Sequence, residues 1–191
     1  MVVPRTRRPI LSVIGNGGEI SASFAASAER IGELAVDAGF RVACGGRDGV
    51  MDAVMRGAHR SARYREGDTI GILTSYECTD ASGWCDIVIP TGIGYARNMV
   101  VVASGDVVVA MGGGAGTLSE IALAWQIRRP ILAWVGEEGW AARLAGIRLD
   151  SRHDATIEGF DDAAALITRA RALVQRDPPE ALGCSEDHNH A

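Results

Sequence analysis

Residues 105–125 read Gly-Asp-Val-Val-Val-Ala-Met-Gly-Gly-Gly-Ala-Gly-Thr-Leu-Ser-Glu-Ile-Ala-Leu-Ala-Trp, and the rest of the chain can be organised around them. Residues 106–111 are almost entirely apolar, which is typical of a parallel strand buried on both faces. A glycine-rich turn follows, and after it apolar residues return at roughly helical spacing, from Leu118 to Trp125. The stretch therefore predicts a buried strand, a glycine turn and a helix with Glu120 in its first turn.

The glycine turn between this strand and this helix predicts a binding site for a phosphate group. Glycines let a ligand approach the main chain closely, and the first N–H groups of a helix are free to bind an anion. A tight connection without a ligand is the alternative, but such a connection would not need so many glycines. We therefore expect phosphate-binding residues at Gly112, Gly113, Gly114, Gly116 and Thr117.

The order of strand, turn and helix recurs along the chain. Further strands are predicted at residues 10–14, 40–44, 69–73, 87–90, 131–135 and 154–158, and helices at about 21–38, 48–62, 93–103, 137–146 and 160–175. This alternation predicts an α/β fold, with a doubly wound, mostly parallel, Rossmann-like sheet and helices on both faces. We expect a single domain over residues 10–177, an N-terminal extension at 1–9 and a disordered tail at 178–191.

Two other glycine turns are predicted to emerge at the same edge of the sheet as the first. The turn after the first strand contributes Gly15 and Asn16, and the turn after the second contributes Gly45, Gly46 and Gly49. Parallel sheets bind ligands at the carboxyl ends of their strands, so these residues should converge on one site.

A dinucleotide-binding fingerprint is not complete in these turns. Ile20 stands where the first turn would need its last glycine, and no acidic residue ends the second strand. Hydride transfer is therefore not favoured.

Two helix N-caps are also predicted. Asp48 is predicted to cap the second helix, and Ser21 or Ser23 is predicted to cap the first.

Three polar side chains are candidates for direct action on a ligand. Arg97 and Asn98 lie near the start of a helix that follows a strand end, in otherwise apolar company. Arg97 could instead be an ordinary solvated arginine, and Glu120 a favourable charge near a helix N-terminus. Close to a bound phosphate, the pKa of Glu120 would rise, which suits proton transfer.

The composition excludes several functions. The net charge of −5 and the pI near 5.4 argue against nucleic acid or an anionic membrane as a partner. All 19 basic residues other than histidine are arginines, so Schiff-base chemistry and a lysine-containing phosphate loop are both impossible. No stretch is long and apolar enough to cross a membrane, and no signal-peptide core precedes the first strand.

We expect a cytoplasmic protein, because its four cysteines form no Cys-x-x-Cys pair. Cys184, His188 and His190 in the tail are residue types that bind metals, but an unstructured tail is the simpler interpretation. We predict neither a metal nor a resident cofactor.

With these residues identified, the chain resembles the Lonely Guy (LOG) family, formerly labelled lysine decarboxylases, and within it the branch of the molybdenum-cofactor carrier proteins. The family pattern Pro-Gly-Gly-x-Gly-Thr-x-x-Glu matches residues 112–120 except at the first position, and Gly-Gly-x-x-Gly-x-Met matches residues 45–51. The family's Arg-Lys pair corresponds to Arg97 and Asn98. The resemblance covers about residues 10–135.

This resemblance implies a function in which the glycine–threonine loop holds the 5′-phosphate of a nucleoside monophosphate. It implies that Arg97 and Glu120 assist cleavage of the bond between base and ribose, and that the active protein is a homodimer or homotetramer. Asn98 replaces the family's lysine and Gly112 its proline. Without lysine, lysine decarboxylase is not a suitable label.

Two functions remain open at this point, together with a vestigial site in a structural oligomer. One is a phosphoribohydrolase, in which Glu120 acts on the ribose and Arg97 holds phosphate or ribose hydroxyls. The other is a non-catalytic carrier or sensor of a phosphorylated ligand such as the molybdenum cofactor. Self-association is predicted because the helices around Tyr95, Val101, Leu123 and Trp125 have apolar residues on more than one side.

Overall fold

The computed structural model describes residues 7–175, so the predicted tail and its Cys184, His188 and His190 lie outside the described residues. Strands and helices alternate as expected. The strands are β1 (Ile10–Gly15), β2 (Arg41–Cys44), β3 (Thr69–Leu73), β4 (Ile87–Pro90), β5 (Val107–Met111), β6 (Ile131–Trp134) and β7 (Glu158–Phe160). The helices are α1 (Ala22–Asp37), α2 (Val50–Ala58), α3 (Arg97–Ser104), α4 (Ala115–Gln126), α5 (Trp140–Leu144) and α6 (Ala163–Gln175).

All seven strands form one parallel sheet in the order β4-β3-β2-β1-β5-β6-β7. The chain first moves outward from β1 to β4, and it then returns to place β5 on the other side of β1. The predicted doubly wound α/β fold is confirmed. Because the direction changes between β1 and β5, the gap beyond their carboxyl ends is where a fold of this kind binds ligands.

The helices cover both faces of the sheet and enclose two hydrophobic cores. Residues of α1, α2 and α6 pack on one face, around Phe40 and Leu132. Residues of α3, α4 and α5 pack on the other, around Ile14 and Ile121. Strand β5 is buried along its whole length, as its uninterrupted apolar sequence predicted.

Helix α1 begins and ends with the residues that its sequence indicated. The Ser21 hydroxyl accepts a hydrogen bond from the N–H of Phe24, which makes Ser21 rather than Ser23 the N-cap. Gly39 follows the last turn with a positive φ of 87°, the conformation that glycine adopts most easily after a helix.

Several predicted boundaries were wrong. Gly49, not Asp48, precedes α2, because its φ of 64° turns the chain into the helix and Asp48 bonds elsewhere. Residues 94–96 form a short 3₁₀ helix, so α3 starts only at Arg97. The last strand is 158–160 instead of 154–158, and α5 and α6 begin three residues later than predicted. Glu120 lies in the second turn of α4, since that helix begins at Ala115.

Two arginines of the predicted N-terminal extension are bound to the sheet. Arg7 donates hydrogen bonds of 2.8 and 2.6 Å to the two carboxylate oxygens of Asp106. Arg8 forms an ion pair with the buried Asp68 and donates to the carbonyl of Phe40 at 2.8 Å. These contacts tie the chain before β1 to the segments that lead into β2, β3 and β5.

Helices α1 and α2 approach so closely that their main chains touch at two glycines. A Cβ atom on Gly32 would lie 1.9 Å from the carbonyl oxygen of Val54, and one on Gly57 would lie 1.9 Å from that of Glu29. Only glycine fits at either position.

Within the described residues, no helix is both long and apolar enough to span a bilayer.

Candidate functional site

The three glycine turns meet at the carboxyl edge of the sheet, beyond β1 and β5. Gly15 and Met111, the last residues of these strands, are paired directly in the register. The turns that follow them therefore emerge side by side, and the turn after β2 joins them from the neighbouring strand. Together with α3 and α4 they enclose a cavity of about 530 Å³. This volume is within the range of small-molecule sites in proteins.

The N-terminus of α4 forms one wall of this cavity. Gly114 occupies the N-cap position and provides no side-chain cap. Among residues 7–175, the N–H groups of Ala115, Gly116 and Thr117 find no backbone acceptor, as expected for the first turn of a helix. A Cβ atom on Gly114 or Gly116 would meet nothing within 4 Å. The helix end is therefore open to a ligand and, because of its unpaired donors, suited to an anion.

The N–H of Gly113, which the sequence assigned to the phosphate, has a different partner. It donates to Oδ1 of Asn16 at 2.5 Å. The carbonyl groups of Gly112 and Gly113 accept from the main chain of Ala141 and Trp140, at 2.9 and 3.1 Å. The hydrogen bonds of these two glycines therefore fix the conformation of the turn. The N–H groups that remain available to a ligand belong to the residues after Gly113.

The glycines of the second turn make room for neighbouring groups. A Cβ atom on Gly45 would lie 2.6 Å from Nη2 of Arg97, so this glycine lets the guanidinium approach the main chain. Gly46 packs on Gly71, and Gly49 packs on the carbonyl of Asn16, with a hypothetical Cβ 2.7 and 2.4 Å from these neighbours.

The predicted site residues therefore divide into two groups. Nine border the cavity: Gly15, Asn16, Gly45, Arg97, Asn98, Gly114, Gly116, Thr117 and Glu120. Four lie behind its surface: Gly46, Gly49, Gly112 and Gly113.

Arg97 and Glu120 form a buried ion pair beside the helix end. Nη1 of Arg97 lies 3.1 Å from Oε1 of Glu120, and the two residues are only 9% and 6% exposed. Burial raises the pKa of Glu120 to about 7, although the nearby Arg97 opposes that rise. The predicted rise thus has burial as its cause, without any bound phosphate. Near neutral pH this carboxyl group can both accept and release a proton.

Asn98 supports the loop through a second side chain. Its Nδ2 donates to Oγ of Ser119 at 2.9 Å, and that hydroxyl donates to the carbonyl of Gly116 at 2.7 Å. Asn98 therefore stabilises the first turn of α4 while it borders the cavity.

Sequence reasoning missed eight residues at the cavity, of which Val13, Ile14 and Gly17 belong to β1 or the turn after it. Arg47 and Asp48 come from the second glycine turn, and Asp48 accepts a hydrogen bond from the N–H of Gly18 at 2.9 Å. Met51, Thr74 and Tyr95 complete this wall. The sequence did mark Arg47 and Asp48, which are charged residues inside a glycine turn. Nothing local distinguishes Tyr95, because its position depends on how distant segments pack.

The arrangement offers a small ligand two kinds of interaction. Unpaired main-chain donors can bind a phosphate, and the buried carboxyl group of Glu120 lies in the same cavity. Asp48 adds a second carboxylate, which the sequence had not suggested.

Comparison with known proteins supports this assignment of the fold. The chain is similar to the molybdenum cofactor binding protein from Rippkaea orientalis, at 32% identity and a TM-score of 0.77 over 88% of this chain and 99% of the other. It is also similar to the molybdenum cofactor carrier protein from Chlamydomonas reinhardtii, at 30% identity and a TM-score of 0.74 over 88% of this chain and 100% of the other.

A protein of uncharacterised function from Archaeoglobus fulgidus is 39% identical over 116 residues, which are 60% of this chain and 72% of the relative. The sequence profile of the SLOG cluster4 family matches residues 8–159, which include every strand except the end of β7 and every turn of the cavity. The resemblance to LOG-like proteins of the carrier branch is thereby confirmed, and the chain belongs to the SLOG cluster4 family.

Proposed function

We propose that this protein binds a small phosphorylated ligand of the molybdopterin type and serves as its carrier or sensor. The observation that carries the proposal is the open N-terminus of α4, where the N–H groups of Ala115, Gly116 and Thr117 face a cavity of about 530 Å³. The similar proteins from Rippkaea orientalis and Chlamydomonas reinhardtii, described as binding or carrying the molybdenum cofactor, support the choice of ligand class.

The charges around the cavity favour a phosphate at the helix end. Arg97 is paired with Glu120, so its charge is partly balanced before any ligand arrives. The main-chain donors and the positive end of the helix dipole therefore provide most of the attraction, with Arg47 as a further cation at the rim. A mostly uncharged anion site suits reversible binding, as a carrier requires.

A phosphoribohydrolase acting on a nucleoside 5′-monophosphate is the second candidate, because of the buried Glu120. In this reaction the helix end would hold the 5′-phosphate, and Arg97 would bind ribose hydroxyls. Ionised Glu120 would orient water or stabilise the positive charge that develops on the ribose as the base leaves. Its pKa of about 7 leaves a substantial ionised fraction at neutral pH.

The phosphate site can be tested with a charge change at Gly116, where an added side chain points into open space. We expect Gly116→Asp to weaken AMP binding by at least about tenfold, because its carboxylate would face the phosphate at close range. Gly116→Asn is the matched control, since it adds a side chain of the same size without charge. Isothermal titration with AMP measures both. Equal affinity in the Asp variant and the wild type would contradict the proposal.

Two measurements separate the carrier from the hydrolase. Mass spectrometry of the purified protein should identify a co-purifying phosphorylated pterin if the chain is a carrier. Incubation with nucleoside 5′-monophosphates should release free base and ribose 5-phosphate if it is a hydrolase. In that case Glu120→Gln should abolish turnover and preserve AMP binding. Absence of turnover with every common base, together with a retained pterin, favours the carrier.

Self-association and a cytoplasmic location complete the proposal. Tyr95 borders the cavity and is 84% exposed, so a second copy that covers it would close the site from outside. Cys44, Cys78 and Cys85 are free thiols, which agrees with a reducing compartment.

A further inference from the structure

A second cavity, of about 280 Å³, lies at the other end of α4. Helix α4 runs antiparallel to the strands, so its last turn ends near the start of β6, at the sheet edge opposite the first site. Segments around His153 and Glu158 and the helix α6 complete the walls. None of the residues bordering this cavity contributes to the site described above.

The second cavity is positively charged in a chain whose net charge is −5. Arg128, Arg129 and Arg169 border it, against the single carboxylate of Glu158. Arg169 donates hydrogen bonds of 2.7 and 2.6 Å to that carboxylate, so these two charges compensate each other. Two positive charges remain.

Arg128 and Arg129 have no carboxylate partner among residues 7–175. Arg128 donates only to the carbonyl of Arg152 at 3.4 Å, and Arg129 to that of Ala103 at 3.2 Å. Nε of Arg129 is buried without any acceptor in the described part of the chain. Unpaired guanidinium groups beside a cavity are well placed to bind an anion.

The backbone conformation of Arg128 also indicates that its side chain has a function. Its φ of 57° makes it the one non-glycine residue with positive φ in the described part of the chain. It follows the last turn of α4, a position at which glycine is the most favourable residue. An arginine occupies this position at the cost of backbone strain, and such strain is concentrated at functional positions.

The remaining walls of the cavity are mostly apolar. Trp125, Ile131 and Leu173 border the cavity. The ring of His153 packs against the Trp125 indole with centroids 4.0 Å apart, and the indole N–H donates to Asp150 at 2.9 Å. These contacts fix the indole, which is only 3% exposed, so that it forms part of the rigid wall of the cavity and its N–H can report on binding there.

We propose that this cavity is a second binding site, specific for a small anion. The carboxylate or phosphate of the ligand would pair with Arg128 and Arg129, and the rest of the ligand would fill the apolar part of the cavity beside Leu173. The cavity has about half the volume of the first and suits a single ring with one charged group. The proposal does not depend on the ligand of the first site.

Phenyl phosphate is the probe, and the Trp125 indole N–H is the reporter in ¹H–¹⁵N spectra of the full chain. The titration uses Gly116→Asp protein, in which we expect the first site to bind phosphates more weakly. We expect a saturable shift of the Trp125 signal with phenyl phosphate and with benzoate, and none with benzyl alcohol, which lacks the charge. Absence of any Trp125 shift would overturn the proposal.

Arg128→Gly, added to the same protein, tests the role of the guanidinium. It should weaken phenyl phosphate binding by about tenfold, the usual effect of losing one charge-assisted hydrogen bond. It should also raise the melting temperature, because glycine relieves the strained φ. Weaker binding with a lowered melting temperature would instead indicate a purely structural residue.

Arg65→Gly is the charge-matched control, since Arg65 is exposed and does not border the second cavity. An equal loss of binding in that variant would show that the effect depends only on the net charge of the protein, and it would contradict the proposal.

Arg129→Gln provides a second test, and we expect it to bind phenyl phosphate more weakly. If Gly116→Asp leaves AMP affinity unchanged but the Trp125 signal still shifts with phenyl phosphate, the proposed phosphate site fails and this site stands.

Discussion

The side chain and main chain of Asn16 connect the three glycine turns of the cavity. Its Oδ1 accepts the N–H of Gly113, and its carbonyl accepts the N–H of Val50 at 2.9 Å, next to Gly49. Each turn is rich in glycine and has little stiffness of its own. The relative positions of the turns therefore depend on this residue, which sequence reasoning had assigned to ligand binding alone.

Replacement of Asn16 should separate stability from binding. We expect Asn16→Ala to lower the free energy of unfolding by about 1–2 kcal/mol, because the N–H of Gly113 loses its acceptor. Asn16→Asp should retain most of that stability, because a carboxylate also accepts this hydrogen bond, but it should bind AMP more weakly through charge repulsion. Urea unfolding and calorimetric titration measure the two effects. Identical behaviour of both variants would contradict this role.

Glu120 should make stability depend on pH in a defined direction. Its pKa rises from 4.5 in the unfolded chain to about 7 in the folded one, so the folded state holds the proton more tightly. The stabilisation is complete below pH 4.5 and is lost as the pH rises to 7. The loss amounts to roughly 3 kcal/mol. Glu120→Gln should remove this dependence, and urea unfolding between pH 4.5 and 8 would measure it.

Glu19→Gln is the matched control for this pH dependence. Glu19 is exposed, so the variant removes a carboxylate that is not buried. Its stability should follow the wild type across the same pH range. If Glu120→Gln also follows the wild type, the burial of Glu120 does not affect its proton affinity.

The sequence could identify Glu120 as a candidate but not its environment. Its carboxyl group is buried because Arg97, 23 residues away, packs against it from α3. No local pattern predicts such a contact. The sequence also suggested a first-turn position with a helix-dipole role, whereas the second-turn position brings the side chain to the buried ion pair.

At the scale of the elements, close packing of α1 on α2 fixes the helix that follows the second glycine turn. Gly32 and Gly57 allow the two main chains to meet, and Ser61 and Arg56 add side-chain hydrogen bonds to Asp37 and Glu29. Any displacement of α2 would move Met51, which borders the cavity. The packing of these two helices thus supports the site.

We expect Gly57→Ala to destabilise the fold by about 1–3 kcal/mol, because the new methyl group would collide with the carbonyl of Glu29 and force the helices apart. Gly83→Ala is the control, since its methyl group would meet nothing within 4 Å. Thermal and urea unfolding of both variants provide the comparison. If the Gly57→Ala protein is as stable as the control, the two helices can separate without a loss of stability, and the prediction is wrong.

Strand and helix identities were predictable, whereas several boundaries were not. Apolar runs indicated six of the seven strands, because strands of a parallel sheet carry mostly apolar side chains. The start of α3 was missed because Gly94, with a φ of 57°, breaks the helical path at the preceding 3₁₀ turn. The last strand was displaced because its short, polar sequence has little local preference.

At the scale of the whole molecule, the convergence of the three turns was predictable from topology. Alternating strands and helices imply a parallel sheet, and such a sheet gathers its strand-end turns at one edge. The surface was less predictable. Val101 and Trp125, which suggested self-association, are 0% and 3% exposed and pack in the chain's own core. Tyr95, which also suggested self-association, is exposed, and Ile93, Met99 and Val100 beside it are exposed as well.

This exposed group, on the 3₁₀ turn and α3, is where we expect a second copy of the chain to bind. Light scattering at micromolar concentration should show a dimer or tetramer. Val100→Glu should shift it toward the monomer, because a buried carboxylate at an interface is unfavourable. Ile147→Glu, a comparable change at a residue that is 44% exposed elsewhere, should leave the mass unchanged. A monomeric wild type would contradict the prediction.

The strand order has a consequence for synthesis on the ribosome. Strand β1 lies in the centre of the sheet, yet its partner β5 begins only at Val107. A nascent chain can therefore pair β1 with β2 early while the other side of β1 waits, with its hydrogen-bonding groups exposed beside the apolar Leu11 and Val13. Unpaired apolar edges are templates for aggregation. Premature termination between Pro90 and Val107 would release a fragment that contains β1 without β5, and such a fragment should be prone to aggregate.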